Sequence, residues 1–121
     1  SKLGGLFFVD RPQLTQSYVQ VGHLGGRFNN PDYPALDVMN QVLNGFGGRL
    51  FNSVRSRQGL AYSVYGVWSP RFDYPGLFVA GGQTRSAATV PFLRAIRTEI
   101  EKLQTEAVQP EELQRAKESV L

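Results

Sequence analysis

Arg55 and Tyr62 are the two residues of this chain whose types, spacing and surroundings could do chemistry. They stand seven positions apart in the segment Gly47 to Gly66, GGRLFNSVRSRQGLAYSVYG. A guanidinium is suited to gripping carbonyls and carboxylates in a cleft, because its donors form a rigid planar fork. Taken alone, Arg55 reads as a surface arginine of a short helix and Tyr62 as a half-buried strand tyrosine. Two features weigh against so plain a reading. Glycines at 47, 48, 59 and 66 keep the surroundings open, and Arg49, Arg55 and Arg57 mixed with Tyr62 and Tyr65 suit a polar cleft. On residue types alone the plain reading still leads.

The other candidates are weaker. His23 is the single histidine, nothing near it offers a second ligand at metal-binding spacing, and it reads as a strand-end residue. The run Gly45-Phe46-Gly47-Gly48-Arg49 has the glycines of a phosphate loop. It lacks the Lys-Ser/Thr, follows a helix instead of a strand, and reads as a tight helix–helix corner. Ser53, Ser56 and Ser63 have no base among their neighbours and no Ser-x-x-Lys pattern, which argues against a serine nucleophile. The acidic pairs Glu99/Glu101 and Glu111/Glu112 fall on amphipathic helices and read as solvated faces. With no cysteine there is no disulfide, no thiolate-bound metal and no thiol nucleophile.

Composition places the chain among globular domains, at 41% hydrophobic and 19% charged, and its length fits one domain spanning residues 1–121. No stretch approaches the ~20 apolar residues of a membrane span. The net charge of +3 is unevenly spread. Residues 1–98 carry ten Lys/Arg against four Asp/Glu, and residues 99–121 carry three against six. Without a dense basic run or an aromatic nucleic-acid motif, no nucleic-acid partner is expected.

The elements that must position Arg55 and Tyr62 follow from periodicity. Leu6 to Val9 reads as a short strand, and Gln16 to His23 as a second, with Val19 and Val21 on one face and Tyr18 and Gln20 on the other. A helix opens at Asn30 or Asp32, with a proline in its first turn; Leu36, Met39, Leu43 and Phe46 follow at helical spacing, and Gly45 reads as its stop. A short helix over 49–57 ends at Gly59. Residues 60–68 and 77–80 form an antiparallel strand pair. A long helix over 86–105 presents Val90, Leu93, Ile96, Ile100 and Leu103. A last helix starts at Pro110, with Leu113, Ala116 and Val120 beginning an apolar stripe that the end of the chain leaves unfinished, as expected of a domain truncated at its C-terminus. The order ββααββαα predicts a two-layer α+β sandwich, an antiparallel sheet with helices on one face.

The run from Gly48 to Tyr65, GRLFNSVRSRQGLAYSVY, resembles the C-terminal-type domain of the pitrilysin/insulinase-like zinc peptidases, the family of mitochondrial processing peptidase and its bacterial relatives. Asp32-Tyr33-Pro34-Ala35-Leu36 is similar to that domain's first helix, and Pro110 to Lys117, PEELQRAK, to its last. The Arg–Tyr spacing together with Arg-Gln-Gly-Leu-Ala-Tyr is the specific part. In such enzymes an inverted H-x-x-E-H helix and a more distant Glu bind zinc. By resemblance, Arg55 and Tyr62 are the catalytic and substrate-binding residues. Arg55 would hold a backbone carbonyl of the bound peptide, and Tyr62 would donate a hydrogen bond to the oxyanion of the tetrahedral intermediate.

A chain with one histidine cannot hold an H-x-x-E-H helix. The resemblance therefore implies no metal ligand here, zinc bound outside this chain, and no cleavage by the fragment alone. The zinc-binding half would precede it in a longer chain or come from a partner subunit, and the substrate would be a peptide. The alternative is a non-catalytic scaffolding or peptide-holding subunit of a peptidase-like complex. A free-standing binding domain is disfavoured by the unfinished last helix.

Overall fold

The computed structural model describes residues 4–44 and 47–121. Three antiparallel strands make the sheet: β1 (Gln16–Leu24), β2 (Ser63–Ser69) and β3 (Leu77–Arg85), in the order β1-β3-β2. Helices α1 (Tyr33–Leu43), α2 (Thr89–Thr105) and α3 (Pro110–Val120) join a π-helix at Phe51–Arg57 in a second layer. Strand alternation turns Val64, Gly66 and Trp68 of β2 and Phe78 and Ala80 of β3 toward that layer. There they meet Leu43, Leu50, Val54, Phe92 and Ile96, all five fully buried and large enough to contribute about 1.5–3 kcal/mol each. The opposite sheet face is uncovered and carries exposed Tyr18 and Leu77. This is the two-layer α+β sandwich that the sequence predicts.

Differences from the sequence reading have identifiable causes. Leu6 to Val9 forms no strand and is 76–94% exposed; β-propensity expresses fit to a half-buried sheet surface, and here the segment has none beneath it. Strand β3 runs five residues beyond the predicted Ala80. Its Gly81-Gly82 pair resembles a break but sits mid-sheet, where a Cβ on Gly82 would lie 2.0 Å from the Ser63 carbonyl oxygen. Strand β2 starts at Ser63, so Tyr62 stands just outside it. Helix α1 ends on Asn44, whose N–H bonds the Asn40 carbonyl at 3.1 Å. The expected stop at Gly45 and the stripe residue Phe46 lie outside the described residues. On α2 the buried face is Phe92, Ala95, Ile96 and Glu99, rotated from the predicted stripe, so that Val90 and Leu93 are exposed.

The outer edge of β2 is closed by side chains. Asn44 donates to the Gly66 carbonyl at 2.6 Å and accepts from the Gly66 N–H at 3.0 Å. One helical turn earlier, Asn40 does the same for Trp68, at 2.8 and 2.7 Å. Two amides at i and i+4 thus replace a missing neighbour strand and leave no bare backbone at these positions.

Candidate functional site

The π-helix carries Arg55 and ends at Arg57, ahead of Tyr62 in the chain. Leu50 and Val54 are fully buried, which fixes its inner face on the core. Its widened turns close through Gln58 N–H to the Ser53 carbonyl at 3.2 Å and Leu60 N–H to the Val54 carbonyl at 3.0 Å. Isolated π turns recur at functional sites, since they re-aim side chains that an α-helix would space differently. Gly59, at φ +59, is the left-handed residue that ends the helix. On the outer face the Arg55 guanidinium lies over the Phe51 ring, 5.1 Å from its centroid. A cation–π contact at such an exposed position contributes roughly 0.5–1 kcal/mol and restricts where the guanidinium points.

The connection from Arg55 to Tyr62 is stapled to β3. The buried Thr84 hydroxyl donates to the Leu60 carbonyl, and Tyr62 N–H donates to the Gln83 carbonyl at 2.9 Å. Tyr62 is 53% exposed, and Arg55 is exposed. No hydrogen bond links the two side chains among the described residues. The fold therefore sets Arg55 and Tyr62 at the two ends of one short anchored connection, both of them exposed residues. Thr84 is the supporting residue that the sequence reading missed. A lone threonine in an apolar strand carries no local signal, since its partner is 24 positions away.

Arg49 opens the same helical segment, and its role is clear from geometry. Its Nε and Nη2 donate to the two carboxylate oxygens of Glu112 at 2.8 and 3.0 Å, a bidentate pair between the π-helix and the first turn of α3. The side chains are only 13% and 17% exposed. Hydrogen bonding from Arg49 holds the Glu112 carboxyl below its usual range, against the opposing effect of burial. The same bond raises Arg49. Arg49 Nη1 is buried with no partner. Glu112, expected on a solvated face, is thus a tertiary tie. Glu99 is also buried, where Lys102 Nζ reaches it at 3.1 Å, whereas Glu101 keeps to an exposed pair with Arg97.

A polar cleft of about 590 Å³ lies between the π-helix, α2 and α3, lined by Ser53 and Arg57 but by neither Arg55 nor Tyr62. Its acidic and basic groups balance one another, and the Arg49–Glu112 pair occupies it. On the uncovered sheet face Tyr18 and Tyr65 share a hydrogen bond of 2.7 Å, and Gln20 donates to Tyr65 at 2.9 Å. That phenol–phenol bond raises the Tyr18 pKa.

His23 stacks on Phe78 with ring centroids 5.3 Å apart, and its Nδ1 lies 2.8 Å from the Leu24 carbonyl. Among the described residues no group of three or more His, Asp or Glu side chains could hold a metal ion, so the donors present do not fit a zinc site. No helix among them is long and apolar enough to cross a membrane.

Comparison with known proteins agrees with this architecture. The chain is 30% identical over 111 residues to an uncharacterized zinc protease, YmxG, of Bacillus subtilis, covering 91% of this chain and 27% of that protein. An uncharacterized zinc protease of Rickettsia felis is 30% identical over 117 residues, covering 95% and 28%. The chain thus spans little more than a quarter of the length of these relatives. A crystal structure of a peptidase M16 inactive domain from Pseudomonas fluorescens superposes with a TM-score of 0.82 at 30% identity, over 88% of this chain and 26% of that one. A conserved protein from Enterococcus faecalis has the same fold, with a TM-score of 0.77 at 24% identity over 88% of this chain and 25% of that one. The family model described as "Peptidase M16 inactive domain" matches residues 2–120. Matched over nearly its whole length, with the same fold and with zinc proteases among its relatives, the chain belongs to the peptidase M16 inactive domain family.

Proposed function

We propose that residues 1–121 are a C-terminal-type domain of a longer zinc metalloendopeptidase, and that Arg55 and Tyr62 are its contribution to peptide cleavage. The observation that carries this reading is their placement. Both are exposed residues at the two ends of a connection that Thr84 and Gln83 anchor to β3. An anchored donor needs little reorganisation when charge develops on a substrate, which is how an oriented hydrogen bond favours a transition state over a ground state. The Tyr62 phenol donates to the oxyanion formed as the peptide carbonyl is attacked. The Arg55 fork holds a neighbouring backbone carbonyl and keeps the peptide in register. Neither step moves a proton to or from this chain. The zinc-binding half comes from elsewhere in the longer protein or from a partner subunit, since the described residues offer no group of ligands for zinc.

The test is Tyr62→Phe in the complete protein with its zinc-binding half. Removing one oxyanion donor lowers kcat on the order of a hundredfold while KM changes little. An unchanged kcat in a folded, zinc-loaded variant refutes the role given to Tyr62.

A second reading follows from the family description, which calls the domain inactive. The domain would then hold peptide or scaffold a partner without touching the reacting atoms. An inverted zinc helix in the longer chain or its partner, together with loss of turnover in Tyr62→Phe, excludes it.

A further inference from the structure

The two edges of the sheet are treated differently. Gly66 and Trp68 turn their backbone groups outward to the asparagines, so their register partners on β3, Ala80 and Phe78, turn theirs toward β1. Val21 and His23 therefore bond to β3, and by alternation Tyr18, Gln20 and Gly22 present their N–H and C=O groups along an outer edge. Beside that edge the helix layer overhangs. Val90 and Leu93 of α2 are 55% and 36% exposed. A groove of about 450 Å³ runs there between Val21, Leu93 and Ile100.

The segment preceding β1 has the complementary defect, since Leu6-Phe7-Phe8-Val9 is apolar and has no partner strand. A turn over Arg11–Leu14 joins the two, closed by Leu14 N–H to the Arg11 carbonyl at 3.1 Å. Leu14 lies on the outward-facing parity of β1, because the next residue, Thr15, already faces the other way and accepts from Ser86 N–H at 2.9 Å. The Arg11–Leu14 turn bond thus stands where the first rung of an antiparallel ladder along the outer edge would lie. Continuing it pairs Val9 with Gln16, Phe7 with Tyr18 and Gly5 with Gln20 as hydrogen-bonded pairs, and leaves Phe8 opposite Ser17 and Leu6 opposite Val19.

Paired residues share a face. Ser17 faces α2, since Thr89 Oγ1 donates to its Oγ at 2.7 Å, and Val19 packs against the core. In this register Phe8 and Leu6 come down on the side of Val90 and Leu93, where the helix layer has no sheet beneath it.

We propose that Leu6–Val9 docks on β1 as a fourth, edge strand, zipping from the turn already closed at Arg11–Leu14. The docked form covers Val90 and Leu93 with Phe8 and Leu6, and it removes from solvent an open strand edge that would otherwise pair with other chains. This inference is independent of the roles proposed for Arg55 and Tyr62.

The test is NMR on the 121-residue chain. Docking protects the amides of Tyr18 and Gln20 from hydrogen exchange and brings the Hα atoms of Phe8 and Ser17, and of Leu6 and Val19, into close contact. Phe7→Pro deletes the N–H that would bond the Tyr18 carbonyl, and should speed exchange at Tyr18 by about tenfold or more. Exchange at both amides as fast as in an unstructured peptide, with no Hα contacts, overturns the proposal. So do contacts seen only between differently labelled chains, which would give the edge to the segment of a second copy.

Discussion

Replacing Glu112 by Gln isolates the tie between the π-helix and α3. The amide keeps the shape of the side chain and one acceptor oxygen, but removes the charge and one of two bonds from Arg49. Exposed pairs contribute roughly 0.2–1 kcal/mol, and breaking a fully buried pair costs about 3–5 kcal/mol. At 13% and 17% exposure this pair lies nearer the buried limit. The variant also leaves Arg49 charged, with Nη1 already lacking a partner. Because one acceptor survives, the expected loss is about 2 kcal/mol, or about 8 °C in Tm for a domain of this size. Urea and thermal denaturation of both proteins measure it, with Glu101→Gln as the exposed control, worth about 0.5 kcal/mol or less.

The pH dependence of that difference adds a second check. The folded Glu112 carboxyl titrates below its unfolded value of 4.5. The unfolded chain therefore binds more protons between the two values, and stability rises with pH there. The contribution is complete above the unfolded value and is lost as pH falls through the folded one. Wild type and Glu112→Gln should differ most near neutrality and converge in acid. A difference below about 0.5 kcal/mol at pH 7, or one that is flat down to pH 3, would show that the pair behaves as an exposed one and that the burial argument fails.

Further predictions rest on separate features. Asn44→Leu strips both edge bonds from Gly66 and should destabilise the domain by about 2–3 kcal/mol, read by urea denaturation. Thr84→Val keeps the shape but leaves the Leu60 carbonyl without its donor, for a loss of about 1–3 kcal/mol. On the roles proposed for Arg55 and Tyr62, the same variant should lower kcat in the complete protein, because the connection between them loses a staple. Gly82→Ala would force a Cβ against the Ser63 carbonyl oxygen and should cost more than about 3 kcal/mol, measured as loss of soluble folded protein or a collapsed Tm.

The sequence by itself was enough for the family resemblance and for the layer architecture. Glycine at 59, the apolar spacing of Leu36, Met39 and Leu43, and Pro110 ahead of two glutamates are local signals, and the helices formed where they pointed. Arg55 and Tyr62 stood out because type and spacing are readable along a chain, and the family resemblance drew on the same run. Tertiary structure decided what depended on distant neighbours. Gly81-Gly82 continues a strand because β1 and β2 press against its backbone on both sides. Leu6–Val9 has strand composition, and composition cannot supply a pairing partner. Glu112 looks like any first-turn glutamate until Arg49, 63 positions earlier, closes on it. Asn40, Asn44 and Thr84 are ordinary polar residues in sequence, and each acquires its role from a backbone group more than 20 positions away. Periodicity reports which face of an element is apolar; only packing decides which backbone groups remain to be satisfied and which side chain can reach them.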